Sequence, residues 1–168
     1  MAVGSGMTQY RRLKSPGSTY YFTLCAQVRG SSVLTDNIGL LRDAWQATFA
    51  EFPAIPHAVV ILPDHLHAVL TEPEDEVNFS ERWRRFKARV SHAVDVPGPP
   101  RSSLAARREK GFWQRRFWEH RIRDAADFRG AVEYCRTDPV RHGLVARPED
   151  WAFSSFRRTG NIAHPTAA

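Results

Sequence analysis

Cysteine is nearly absent. The chain holds two, Cys25 and Cys135, too far apart to match a zinc or redox spacing, and both read as small apolar fillers. No apolar stretch approaches the roughly 20 residues that cross a bilayer, so no membrane partner is expected. The opening, Met1 to Gly6, is small and uncharged and lacks a basic-then-apolar leader pattern. A cytoplasmic protein with reduced thiols is therefore expected. Internal repeats are also lacking. With 168 residues and 42% hydrophobic content, the chain can fill one sizeable core but not two comfortable domains.

What is present is positive charge, unevenly spread. The formal net charge is +6, yet Phe79 to Arg129 alone carries fourteen Lys/Arg against six Asp/Glu. Trp83, Phe86, Phe112, Trp113, Phe117 and Trp118 are interleaved with these cations. Cations that follow phosphates and rings that stack on unpaired bases suit a nucleic-acid strand. A solvated basic face over ordinary core aromatics would look the same. The candidate DNA contacts are Arg82, Arg85, Arg89, Arg115, Arg116 and Trp118.

Residues 1–17 read as a flexible arm, 18–158 as a single domain and 159–168 as a tail. Thr19 to Val28 alternates as a strand, with Tyr20, Phe22, Leu24, Ala26 and Val28 on one face and Tyr21, Thr23, Cys25 and Gln27 on the other. Thr35 or Asp36 can cap a helix whose apolar residues recur from Leu41 to Phe52, and Pro53 ends it. Ala58 to Leu62 and His65 to Leu70 read as a hairpin turned by Pro63-Asp64. A second helix, about Ser80 to Val94, should bury Trp83, Phe86, Val90 and Val94 and expose Arg82, Arg85 and Arg89. Residues 95–110 read as mobile. Phe112 to Arg123 reads as a strand, and Asp124 caps a last helix with Asp127 in its first turn. Pro139 should end that helix at Asp138. The order is that of an α+β domain with a largely antiparallel sheet.

Two stretches carry chemistry. On a strand, His65 and His67 share a face opposite Leu66, Ala68 and Leu70, so both imidazoles can ligate one ion. They can equally be two exposed histidines on a half-solvated strand. On the last helix Tyr134 and Asp138, four apart, lie one above the other beside the stripe Phe128, Ala131, Val132 and Cys135. Taken singly, Asp138 suits a helix cap and Tyr134 a packing residue. Combined, His65, His67 and Asp138 suit a divalent ion with open positions. Tyr134 would attack a phosphodiester that the ion polarises, since a tyrosine of ordinary pKa about 10 needs such help near neutral pH.

These residues resemble a known family. Pro63-Asp64-His65-Leu66-His67 is similar to the motif of the HUH single-strand nucleases, and more narrowly to the branch called REP-associated tyrosine transposases. Tyr10-Arg11-Arg12 with Pro16-Gly17 and Tyr20-Tyr21-Phe22-Thr23 resembles that family's opening. Phe112 to His120 with Ile122-Arg123-Asp124 resembles its central strand and turn. Tyr134 to Leu144 stands in the place of its tyrosine motif, and Arg147 to Trp151 with Ser154-Ser155 resembles its close. The resemblance runs from about Tyr10 to Phe156.

It implies a ferredoxin-like α+β core, with His65 and His67 as metal ligands, Tyr134 as nucleophile and Asp138 in place of the usual asparagine ligand. It also implies Mg²⁺ or Mn²⁺ as cofactor. The implied activity is cleavage of single-stranded DNA beside REP-like palindromic hairpins, by a monomer or dimer associated with the nucleoid. Two departures stand out: Arg136 where the motif has histidine, and the aspartate at 138. A hairpin-binding protein without cleavage, or an iron oxygenase built on two histidines and a carboxylate, would use parts of the same pattern.

Overall fold

The structure is a computed structural model and describes residues 14–94 and 111–157. The sheet grows from period-two alternation. Strand β1 (Thr19–Cys25) turns Tyr20, Phe22 and Leu24 to one face and Tyr21 to the other. It pairs on one side with β3 (His65–Thr71) and on the other with β4 (Trp118–Arg121), and β2 (Ile55–Ile61) flanks β3. The order is β2-β3-β1-β4 with every pairing antiparallel.

Among the described residues four α-helices complete the fold: α1 (Val33–Asp36), α2 (Ile38–Glu51), α3 (Phe79–Ala93) and α4 (Ala125–Arg141). Strands and helices through β4 form the β-α-β-β-α-β arrangement of a ferredoxin-like core. On one face Leu41, Ala44, Phe79, Trp83, Phe86 and Val90 of α2 and α3 cover Tyr20, Phe22, Leu24, Leu66, Ala68 and Leu70. On the other, Phe128, Ala131, Val132 and Cys135 of α4 pack on Tyr21, Ala58, Val60 and Val69. β3, central and covered on both sides, is buried from His65 to Leu70, so its histidines are not half-solvated.

Several expectations need correction. Val28 is exposed, because β1 ends at Cys25. The first helix breaks at Asn37, and neither Thr35 nor Asp36 caps α2. The expected strand from Phe112 is interrupted: Trp113 bridges Ala26, residues 115 and 116 turn outward, and regular pairing resumes only at Trp118. Residues 14–17 belong to the fold rather than to a free arm, since Gly17 N–H donates to Pro73 O and Ser15 N–H to Tyr20 Oη. The rest of the arm, the stretch 95–110 and the tail lie outside the described residues.

Pro139 does not end α4, which runs on to Arg141. The helix closes three residues past the expected stop. Leu144 N–H donates to Pro139 O and Gly143 N–H to Val140 O, with Gly143 at φ 68°, the paired bonds of a Schellman motif whose left-handed residue favours glycine. Asp138 is thereby an interior helical residue and not a cap.

Candidate active site

The register determines which side chains meet. Thr23 stands opposite both His67 on β3 and Trp118 on β4, Cys25 opposite His65, and Tyr21 opposite His120. Directly paired residues share a face. One face of the sheet therefore carries His65, His67, Thr23, Tyr21, Cys25, Trp118 and His120. Helix α4 lies across this face on its β2–β3 side. Its N-terminus is fixed by Asp124, whose side chain accepts from the N–H groups of Ala126 and Asp127. Four-residue steps then place Tyr134, Asp138 and His142 along one line of the helix.

Each imidazole is held by its Nδ1. His65 Nδ1 lies 2.6 Å from Asp64 Oδ1. Burial pushes the Asp64 carboxyl up, but the Gly30 N–H, His65 and Arg29 outweigh it and leave its pKa lowered. An ionised carboxylate only accepts, so His65 carries its proton on Nδ1 and, when neutral, turns a lone pair on Nε2 into the site. His67 Nδ1 lies 2.7 Å from Tyr21 Oη and 2.8 Å from Thr23 Oγ1. Burial drives the Tyr21 hydroxyl far up, keeping it neutral.

The Nε2 atoms converge on one oxygen. Asp138 Oδ2 is 3.4 Å from His65 Nε2, 3.2 Å from His67 Nε2 and 3.6 Å from His142 Nε2. Burial pushes the Asp138 carboxyl up, but His65, His67 and His142 together hold it well below the usual carboxylate range. Burial also lowers the His67 pKa, against the pull of Asp138. Among the described residues, Asp138 Oδ2 and His67 Nε2 are both buried without a hydrogen-bond partner. Imidazole nitrogens facing a carboxylate oxygen at these distances suit a positive charge between them. A cation with imidazole and carboxylate ligands, and each ring oriented through its other nitrogen, fits this donor set.

Tyr134 borders the same centre. Its ring is edge-on to His67 with centroids 5.5 Å apart and to Tyr21 at 6.1 Å, and the Arg141 guanidinium sits 4.3 Å over its face. At 37% exposure it faces a cleft of about 670 Å³ lined also by His65, His67, His142, Trp118 and His120. Trp118, 56% exposed and stacked on His120, forms an aromatic platform at the β4 side. Cys25 lines this cleft and is only half-buried, whereas Cys135 is a buried filler whose thiol burial pushes up to about 12.

The candidate DNA contacts separate. Arg82 is fully buried: Nη1 and Nη2 bind Glu72 at 2.5 and 3.0 Å, while Nε and Nη2 donate to Phe52 O and Pro53 O. The expectation that Arg82 is exposed is therefore wrong, and four of its five N–H donors are bound. Arg85 is exposed but paired with Glu81; Arg89 is bound to Thr48 and Glu51. Arg115 and Arg116 are exposed and line a groove of about 470 Å³ with Arg84 and Lys87 of α3. Arg136 is bound by Glu133 and Glu149.

Sequence reading missed Asp64, Tyr21, Thr23 and His142. Asp64 was absorbed by the turn, and Tyr21 and Thr23 by the strand pattern. His142 had a signal in the four-residue spacing from Asp138, but an expected break at Pro139 hid it.

No protein-family model matches the chain. It is 38% identical over 152 residues to the REP-associated tyrosine transposase of Escherichia coli (strain K12), a match covering 90% of this chain and 84% of that protein. A protein from Haemophilus influenzae assigned to the same group is 39% identical over 155 residues, covering 90% and 87%. Among solved structures, that of a REP-associated tyrosine transposase bound to a REP hairpin superposes with a TM-score of 0.76 at 38% identity, covering 89% of this chain and 83% of that one.

Proposed function

The chain belongs to the REP-associated tyrosine transposase family, and from that premise we propose that it cuts and rejoins single-stranded DNA beside REP-like hairpins through a tyrosine ester. The observation that carries this reading is the placement of Tyr134 one turn from Asp138, whose Oδ2 faces the Nε2 atoms of His65 and His67. His65, His67 and Asp138 would hold a divalent ion, Mg²⁺ or Mn²⁺. When bound, it supplies Lewis-acid polarisation of the scissile phosphate.

Asp64 holds His65, and Tyr21 with Thr23 holds His67, in the orientation that presents Nε2. Tyr134 Oη forms a bond to phosphorus as the bond from phosphorus to one sugar oxygen breaks. The phenolic proton is lost, and the freed sugar oxygen gains one. The phosphotyrosine ester retains the energy of the broken linkage, so the reverse attack rejoins a strand. Trp118 offers its face to an unstacked base, and the groove at Arg115 and Arg116 offers charge to phosphates. Action on DNA places the protein with the nucleoid.

The test is incubation with hairpin-bearing single-stranded DNA and Mn²⁺, followed by denaturing electrophoresis. Wild type should form a covalent adduct, and fully paired duplex should be resistant. Tyr134→Phe should bind the hairpin yet form no adduct. An adduct in the phenylalanine variant would assign the nucleophile elsewhere.

A further inference from the structure

We propose that His142 is a ligand of the same centre beside His65 and Asp138, and that imidazoles joined to one carboxylate select a transition-metal ion such as Co²⁺ or Zn²⁺ over Mg²⁺. This rests on the reading of the His65–His67–Asp138 cluster as a cation site. His65, Asp138 and His142 present ligand atoms all within 4.8 Å of one another; His67 lies outside that group and meets it at Asp138 Oδ2, 3.2 Å from its Nε2. The His142 ring stands T-shaped to His65 with centroids 5.2 Å apart, on the wall of the cleft.

Its position is built, not incidental. The His142 backbone N–H donates to Asp138 O and the Schellman bonds at Gly143 and Leu144 fix the chain just beyond it. The imidazole therefore projects from the helix end along the line of Tyr134 and Asp138. A second, independent sign of a ligand is Asp138 Oδ2 itself, 1% exposed as a residue and without a hydrogen-bond partner among the described residues.

Donor chemistry then decides the ion. Mg²⁺ demands oxygen ligands in near-ideal octahedral geometry and dehydrates reluctantly. Imidazole suits first-row transition metals, whose affinity for such a site rises from Mn²⁺ through Co²⁺ and Ni²⁺ to Cu²⁺ and falls again at Zn²⁺. Each added imidazole moves the site further from Mg²⁺. A purely structural His142, paired with Asp138 and favoured at a helix C-terminus, would alter stability but not metal choice.

The experiment titrates Co²⁺ into the full chain, freed of metal by chelator, and follows its visible absorption and the heat of binding. Parallel titrations use Mg²⁺. Wild type should bind Co²⁺ far more tightly than Mg²⁺. His142→Ala should weaken Co²⁺ by at least the roughly 10-fold that loss of an outer-shell partner costs and change the absorption envelope, while Mg²⁺ affinity stays as in wild type. His142→Gln should behave in the same way, and metal-free melts of both variants establish that they fold. Unchanged Co²⁺ affinity and spectrum in both variants, or Mg²⁺ binding as tight as Co²⁺ in wild type, would overturn the proposal. Co²⁺ binding through His142 with no DNA adduct in any metal would sink strand cleavage and leave this ligand standing. Adduct formation with no effect of His142 on Co²⁺ would do the reverse.

Discussion

Two carboxylates are equally buried in this protein, Glu72 against α3 and Asp138 on α4, each 1% exposed. Glu72 is saturated. Arg82 meets both of its oxygens, Asn78 N–H adds a third bond, and the remaining guanidinium donors close on Phe52 O and Pro53 O. Asp138 is the opposite: its Oδ2 faces imidazole nitrogens and has no hydrogen-bond partner among the described residues. A buried carboxylate with both oxygens bonded holds shape, tying the end of β3 to the α2–β2 connection. One left open, beside rings already oriented from behind, is what the proposed cation site rests on.

The closed pair should give the largest stability effect. Glu72→Ala leaves the Arg82 charge buried and uncompensated, and denaturant unfolding should show a loss of about 3–5 kcal/mol. The double variant Glu72→Met with Arg82→Met should recover most of it. Metal affinity of whatever remains folded should not change. A Glu72→Ala variant as stable as wild type would erase the distinction between the two sites.

The open site should answer in metal dependence instead. Asp138→Asn keeps an oxygen ligand but removes its charge, so adduct formation should persist at a higher metal concentration for half-maximal rate. Asp138→Ala should show a larger shift, partly rescued by excess Mn²⁺. Identical metal requirements in all three proteins would leave only the histidines as ligands.

The same contrast divides the arginines. Arg82 is closed, while Arg115 and Arg116 stand exposed on a groove. Replacing both with alanine should weaken binding to any hairpin sequence about equally and flatten the salt dependence by about 0.7–0.9 per lost phosphate contact. Arg85 and Arg89, held by Glu81 and Glu51, should matter less. A salt-insensitive affinity would make the groove a solvated face.

The smallest effect is on pH. Burial lowers the His67 pKa, so on acidification the unfolded chain takes up its proton first, below its ordinary pKa of about 6.5. Metal-free stability should fall as pH drops through that value. The contribution of Asp138, whose folded pKa is depressed, persists above the ordinary carboxylate value of about 3.9 and is lost only below it. Melting His67→Gln across pH should show a flatter limb near pH 6.5; an unchanged limb would assign it to another group.

Much of this was legible where the signal is local. Alternation gave the faces of β1 and β3, and the stripe from Phe128 to Cys135 gave the packing of α4. The closed pair was hidden because helical spacing cannot say that Arg82, beside Trp83, finds Glu72 across a loop. Asp64 reads as a turn residue until β3 directs His65 toward α4. Pro139 reads as a helix stop because its missing N–H costs one bond. Yet the turns beyond it are recovered by the Gly143 cap, and His142 comes with them. Pairings across the sheet, not within a segment, made the site.

The central claim is that the unsatisfied carboxylate, and not the satisfied one, defines the functional centre. Isothermal titration of Mn²⁺ into metal-free wild type and Asp138→Ala, each checked by circular dichroism, tests it most directly. The account predicts one ion bound per wild-type chain and no measurable binding to a folded Asp138→Ala under the same conditions. Equal binding to both proteins would contradict it.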